Sequence, residues 1–599
     1  MLLHNLVLIN FSLLFLSFFL VSRIQIVSSI TSIKVKVLII LGFLLYSSLS
    51  LIVYHLGFNS NLFIFSEYLI NFFFDSVQTK FITGLNVNDL SADSWSALSS
   101  FNYSFSTYVT DFVGSLDSIS IIFLFMSHVV SFMVILFSFI YFDFSNLNTN
   151  LKSLDVFKLT INCVIAMTVL MDLLFLTDNL LVIFFLAELS LIPLGFLMVK
   201  DKTIFWRKFS SESFYENKRP FALYYLIFFT IASGGFGFVG IVIIYLLFGT
   251  VSLSSLYELN QIHLSFLSDL SLNSVNSYAL IFALVCLLFW ISVKVPLAPV
   301  HIWLPKAHVE GSTESSMLLA GIILKVTVYV LLRVAMIPSF SFLIELYKPF
   351  LLAIAATTAI LGAFGSLLTT DMKRITAYSS VSHMGIILAA GFYISSVSVS
   401  TAPFIILLLT HTIVSTAMFM MIGCIYKSRH GLFVSRNRLS YGGFLFTFPA
   451  FFIFGAIVFA NLNVPLTIGF VGELGVLITV VKSGLSLGII LCLASFILLL
   501  PMLAMLGQVL LGPIRLVDFL KIKSILLSNS VVDVFSKRLV FNKLVWNSSF
   551  LNFYLLNRIY FSSIFLLVLG FGIFSYLFIN FLEDSLIVLD LNTLKTASC

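Results

Sequence analysis

Charge is what this sequence has least of. Only 10% of its 599 residues are Asp, Glu, Lys or Arg, 60% are hydrophobic and the mean hydropathy is +1.12. A water-facing fold cannot hide that much apolar surface, so lipid must solvate most of the chain. Cysteine is also sparse. Cys163, Cys286, Cys424, Cys492 and Cys599 are far apart and show no CxxC or Cys/His ligand spacing, which argues against an iron–sulfur centre, a structural zinc or a disulfide framework. There is no Walker A sequence, no GxGxxG after a strand and no HExxH, so no cofactor and no metal is expected in this chain and ion movement must draw on a gradient or a neighbouring subunit. No soluble module interrupts the apolar pattern. The net charge of +6 resides in connecting loops at membrane edges, where topology explains it without a nucleic-acid partner.

Long apolar runs take the place of what is missing. A transmembrane helix needs roughly 20 apolar residues, and about fourteen such spans are predicted. They fall at 5–22, 36–56, 117–142, 158–176, 179–199, 222–248, 277–303, 315–335, 349–369, 375–395, 402–426, 443–480, 484–511 and 559–581. Residues 1–22 are a first span rather than a signal peptide, because Arg23 follows the apolar run instead of preceding it. Three connections are long: 57–116, 249–276 and 512–558. The 67 phenylalanines, with much Leu, Ile, Ser, Asn and Tyr, fit an AT-rich coding genome and point weakly to an organelle.

Basic residues test the count, because they collect on the inner face of a correctly threaded chain. Lys80, Arg333, Lys348, Lys482 and Lys595 fall on the opposite face, and Lys294 and Lys325 lie inside spans. Every other one of the 32 Lys and Arg sits in a loop after an odd-numbered span. Both termini are then expected on the outer face, away from the cytoplasm or mitochondrial matrix.

Two spans carry a proline break at mid-membrane, at Val295-Pro296-Leu297 with Pro299 and at Val464-Pro465-Leu466. These are spans 7 and 12. They correspond if spans 4–8 and 9–13 are two five-helix repeats, the second inverted because five is odd, and such a pattern marks transporters. Gly321-Ile322-Ile323-Leu324 recurs as Gly488-Ile489-Ile490-Leu491, though also as Gly385-Ile386-Ile387-Leu388. The expected fold is an all-α polytopic membrane protein. Its divisions are 1–116 (two helices and a long outer loop), 117–157 (helix 3), 158–335 (first repeat), 336–511 (inverted second repeat) and 512–599 (inner-face segment, helix 14 and tail).

Titratable residues at mid-membrane depth are Asp172, Glu188, Lys294, Lys325, His383, His411 and Glu473, with His128 less deep. A charge at the bilayer centre costs at least ~2.5–3.5 kcal/mol, which makes each a functional candidate. Lys294 precedes the first break, where water and freed carbonyls can reach an ammonium. A carboxylate such as Glu188 moving nearer or farther would load or unload its proton. Lys325 sits too deep to snorkel. His383 and His411 can accept on one ring nitrogen while donating from the other, as a relay through water requires. Glu473 follows the second break and closes the row. Each also has a plainer reading as a structural ion pair, packing tether or interhelical hydrogen bond, and for Asp172 and His128 packing is the preferred one.

The stretch Val293-Lys294-Val295-Pro296-Leu297-Ala298-Pro299-Val300-His301-Ile302-Trp303-Leu304-Pro305-Lys306-Ala307-His308-Val309-Glu310 closely resembles the subunit 4 family of respiratory complex I NADH dehydrogenases. Asp371 through Gly385 and Ala460 through Glu473 are similar to that family's later motifs, and the likeness covers roughly 110–511. The resemblance implies a proton-pumping membrane-arm subunit of NADH:ubiquinone oxidoreductase in the mitochondrial inner membrane or a bacterial plasma membrane. FMN, iron–sulfur clusters and ubiquinone would be held by other subunits. The implied partners are the other membrane-arm subunits, including antiporter-like subunits 2 and 5, accessory subunits and lipid. Motif by motif, the family's pumping residues fall on Glu188, Lys294, Lys325, His383, His411 and Glu473. The alternatives are an Mrp-type cation/proton antiporter subunit and a non-pumping scaffold. One departure is Gly311-Ser312-Thr313-Glu314-Ser315-Ser316, which puts a charge into a loop expected to contact neighbouring subunits.

Overall fold

Lipid offers a backbone no hydrogen-bond partners, so a chain this apolar must satisfy its N–H and C=O groups within its own segments. The computed structural model describes residues 118–140, 151–199, 218–258, 275–393, 401–428 and 448–511, with Gly42 and Leu44. Among the described residues the regular structure is helical, apart from one isolated bridge between Asn179 and Ser252. The spans predicted at 5–22 and 559–581, nearly all of 36–56, the connections 57–116 and 512–558, and many of the basic loop residues lie outside the described residues.

The helices are α1 (Ser118–Ile140), α2 (Leu151–Leu176), α3 (Leu180–Leu189), α4 (Leu191–Val199), α5 (Lys218–Phe248), α6 (Val275–Lys294), α7 (Trp303–Glu310) and α8 (Thr313–Leu318). They continue as α9 (Leu324–Ala335), α10 (Pro338–Leu346), α11 (Lys348–Leu367), α12 (Met372–Gly391), α13 (Thr401–Ser428), α14 (Phe448–Asn461), α15 (Ile468–Ser483) and α16 (Leu485–Leu511). Eight helical stretches among the described residues are long and apolar enough to cross a membrane. The protein is a multi-pass α-helical membrane protein.

Burial separates the helices into an inner and an outer set. The apolar window of α13 is 100% buried and that of the α8–α9 stretch 94%, against 33% for α16 and 39% for α5. The outer helices turn stripes of large apolar residues away from the bundle, Leu485, Ile489, Leu493, Phe496 and Leu500 on α16 among them. Their spacing of three to four residues marks one helix face.

Three spans are less regular than their hydropathy suggests. The predicted span 179–199 is two helices meeting at Ser190, whose hydroxyl donates to Ala187 O at 2.7 Å. Asn179 caps its start by accepting from Leu181 N at 3.0 Å. The span that ends at Ala335 contains a π-turn over Leu319–Ile323, which ends two residues before Lys325. α6 stops at Lys294 and the chain resumes as a helix only at Trp303, after a 3₁₀ turn over Val300–Ile302. One carbonyl freed at that break, Val293 O, accepts from Trp303 Nε1 at 2.8 Å. The second break separates α14 from α15.

The Gly311–Ser316 segment is not a surface loop for neighbouring subunits. Ser312, Thr313, Glu314, Ser315 and Ser316 are all buried. Ser312 caps α8 by accepting from Ser315 N at 3.2 Å and donates to Leu197 O at 3.0 Å. Its polar residues cap a buried helix and tie it to α4.

Candidate functional site

Lys294 occupies the last turn of α6, where unsatisfied carbonyls at the helix end favour a cation. Its Nζ lies 2.8 Å from Glu188 Oε1 on α3, with the lysine side chain 2% exposed and the glutamate 21%. The same ammonium is 3.3 Å from Ala187 O. The two residues proposed as a pair from sequence do meet, and the carboxylate is the member open to the bundle's edge.

A third side chain joins them. Trp290, fully buried, donates its indole N–H to Glu188 Oε1 at 2.9 Å. The ammonium of Lys294 stands 5.2 Å from the centre of the indole. α5 leaves space for the ring, since a Cβ on Gly237 would come within 2.8 Å of Trp290 Cγ. Trp290 was not singled out from the sequence. The signal was there, because residues four apart share a helix face and Trp290 precedes Lys294 by four.

Lys325 lies wholly inside the bundle, 2% exposed. Its ammonium donates to Ala320 O within the π-turn, and stands 2.9 Å from His411 Nδ1 on α13. With Nδ1 as acceptor, the neutral imidazole carries its proton on Nε2. Among the described residues His411 Nε2 has no hydrogen-bond partner. His383 on α12 faces His411 with ring centroids 5.7 Å apart.

A cavity of about 10 Å³, room for the centre of one water molecule, opens beside the two histidines. Its lining includes His383, Thr410, His411, Asn461 and Asn463. Asn463 in turn donates from Nδ2 to Glu473 Oε2 at 2.6 Å. Lys325, His411, His383, the cavity, Asn463 and Glu473 thus form a continuous polar series through the second half of the bundle. Glu188 and Lys294 form a separate pair at the first break.

Two more buried groups emerge. His308, on α7, is 0% exposed and stacks on Phe419 at 4.4 Å. Among the described residues neither ring nitrogen has a hydrogen-bond partner, and Lys325 and Lys373 are charged neighbours. Lys373, predicted to lie in a loop, is buried in the first turn of α12 and donates to Gly311 O at 3.0 Å. His308 lay inside a motif whose other residues drew attention first. His128 and Asp172 pair with each other, Nε2 to Oδ2 at 3.1 Å, and Ser127 donates to Asp172 Oδ1 at 3.4 Å.

Among the described residues no group of three or more His, Cys, Asp or Glu is placed to hold a metal ion. The arrangement is suited to moving protons between side chains in a low-dielectric interior, where each hydrogen bond to a charge is strong.

Comparison with known proteins agrees with the geometry. Residues 177–498 match the family described as NADH:quinone oxidoreductase/Mrp antiporter, transmembrane. The chain is 39% identical over 199 residues to NADH-ubiquinone oxidoreductase chain 4 of Triticum aestivum, a match covering 32% of this chain and 39% of the relative. It is 32% identical over 354 residues to the chain of the same name from Candida albicans, covering 59% of this chain and 67% of the relative. A chain in the solved structure of respiratory complex I from Thermus thermophilus with bound NADH superposes with a TM-score of 0.56 at 19% identity, over 78% of this chain and 85% of that one.

Proposed function

Because the chain belongs to the NADH:quinone oxidoreductase/Mrp antiporter transmembrane family, we propose that it is a proton-translocating subunit in the membrane arm of an NADH:ubiquinone oxidoreductase. The observation that carries this reading is the pair of constellations built on buried lysines, Glu188–Lys294 at 2.8 Å and Lys325–His411 at 2.9 Å leading to Glu473. Redox chemistry, with its flavin, iron–sulfur clusters and quinone, belongs to other subunits. Neighbouring antiporter-like subunits and accessory subunits cover the outward apolar stripes, and both termini face the intermembrane space of a mitochondrion. The segments 158–335 and 336–511 act as two inverted repeats, each broken at its fourth span.

Glu188 and Lys294 act as the loading pair. With the carboxylate close, the buried ammonium is stabilised as a charge; with it withdrawn, desolvation favours the neutral amine and a proton is released. Lys325 is the central carrier, exchanging a proton with His411 Nδ1. His411 and His383 hand it across the water-sized cavity, and Glu473 is the exit group. Energy arrives from outside the chain, through motion or electrostatics that moves Glu188 relative to Lys294.

The test is proton pumping by the assembled complex after Lys294→Ala or Glu188→Ala. Pumping is expected to vanish while the complex is still detected on a native gel, and full pumping in either variant would reject the loading role. The rival reading is a cation/proton antiporter subunit, since the matched family includes Mrp antiporters. Co-purification decides between them. NADH oxidation with bound flavin supports the respiratory complex, and Na⁺/H⁺ exchange without it supports the antiporter. Retained pumping after neutralising Lys325 and Glu473 together would leave the chain as a scaffold.

A further inference from the structure

Asn463 lies in the break between α14 and α15 with φ +50°, the left-handed region that asparagine enters more readily than most residues. Its side chain has three neighbours of different kinds. The amide Nδ2 donates to Glu473 Oε2 at 2.6 Å. The same side chain lines the cavity shared with His383 and His411. On its far side is Gly469, where an added Cβ would run into Asn463 Oδ1. A residue with no proton of its own to give therefore stands between the histidines and the terminal carboxylate.

We propose that Asn463 is the positioning residue for proton transfer between the His383–His411 pair and Glu473, and that Gly469 gives its amide the room to turn. The proposal rests on the reading of Glu473 as the exit group. As a carboxylate, Glu473 accepts from the amide N–H. Once protonated on Oε2 it becomes an O–H donor and needs an acceptor, which the amide supplies only from Oδ1 on its other side. Half a turn of the side chain exchanges donor for acceptor without moving the backbone. The proton balance closes: a protonated imidazole gives its N–H proton to a water in the cavity, and that water gives one to Glu473 Oε2. Neutral imidazole, neutral water and a carboxylic acid remain, and Asn463 carries no proton at any stage.

The groups surrounding this site bear on its pH response. α12 contributes His383 and α13 contributes His411, with the ammonium of Lys325 behind it. α14 contributes the uncharged Asn461, and α16 the hydroxyl of Ser495 as a second hydrogen-bond neighbour of Glu473. Lys482 lies in the last turn of Glu473's own helix.

The experiment measures protons pumped per substrate turnover against pH in the assembled membrane complex, with assembly followed by native gel. Asn463→Gly keeps access to the left-handed backbone and removes only the amide. It is expected to lower pumping about tenfold, the scale of one hydrogen bond to a charged group. Gly469→Ala, which obstructs the amide, is expected to do the same, and the double variant to be no worse than Asn463→Gly alone. Asn463→Asp sets a second carboxylate against Glu473. Two such groups cannot both ionise freely, so half-maximal pumping is expected to move to higher pH by about one unit or more. Wild-type pumping and pH profile in Asn463→Gly and Asn463→Asp would overturn the proposal, as would simply additive losses in the double variant. Glu473→Gln separates the two levels. If it abolishes pumping while the Asn463 variants behave as wild type, only the role of Asn463 falls. If Glu473→Gln pumps normally, the exit role falls and this proposal with it.

Discussion

The two broken spans solve one problem in opposite ways. At the first, the helix end holds a cation, and a carboxylate from another helix meets it at 2.8 Å. At the second, the carboxylate of Glu473 is met by a neutral amide from the break itself at 2.6 Å. A partner that carries charge makes the first site responsive to distance, since separation exposes a buried ammonium. A partner that is neutral makes the second responsive to protonation instead, since only the donor and acceptor roles change.

The comparison is broken most directly by neutralising both acids. Glu188→Gln and Glu473→Gln are each expected to abolish pumping, but only the first strands a buried cation. Uncompensated burial of that kind costs about 3–5 kcal/mol, so the Glu188 variant should reduce the amount of assembled complex on a native gel without eliminating it. Equal abundance of the two variants would show that the first pair is not an ion pair in the resting state. A smaller effect sharpens the role of the indole. Trp290→Phe removes one hydrogen bond to the Glu188 carboxylate, worth roughly 1.5–3 kcal/mol. Pumping rate is expected to fall roughly tenfold with Lys294 and Glu188 both in place, and an unchanged rate would reduce Trp290 to a packing residue.

The smallest effect on pumping is expected at His128–Asp172, a buried pair whose imidazole and carboxylate are hydrogen-bonded to each other. His128→Ala leaves the buried Asp172 carboxylate with the Ser127 hydroxyl at 3.4 Å but without the imidazole, and should cost about 3 kcal/mol of stability. Changing both residues to apolar ones of similar size should restore most of that loss. Pumping per assembled complex should stay at the wild-type level, and a pumping defect that persists in the double variant would make the pair a working part of the path.

Much of this was legible in the sequence because membrane physics leaves few options. Long apolar runs predicted α1, α2, α5, α11, α13 and α16 to within a few residues at most ends, since a span must bridge a fixed thickness. Prolines flanked by apolar residues located both breaks. Scarcity of charge made Glu188, Lys294, Lys325 and Glu473 conspicuous. What sequence could not reveal is which helices touch. Ser312 and Glu314 read as loop because they are polar, yet they begin a helix buried against α4. Asn463 and Trp290 went unmarked because an amide and an indole are common in membrane proteins, and only their geometry against a carboxylate distinguishes them. The π-turn before Lys325 leaves no mark in hydropathy at all.

That turn has a geometric consequence. A π-turn holds one residue more than the α-helical turn it replaces, so the side chains beyond it sit about 100° short of where a regular helix would put them round the axis. Lys325 is only two residues past Ile323, where the wide turn ends. Its aim at His411 is therefore set by a surplus residue in the coil. Deleting any one residue of 319–323 would swing the ammonium toward another neighbour while leaving the span's composition almost unaltered.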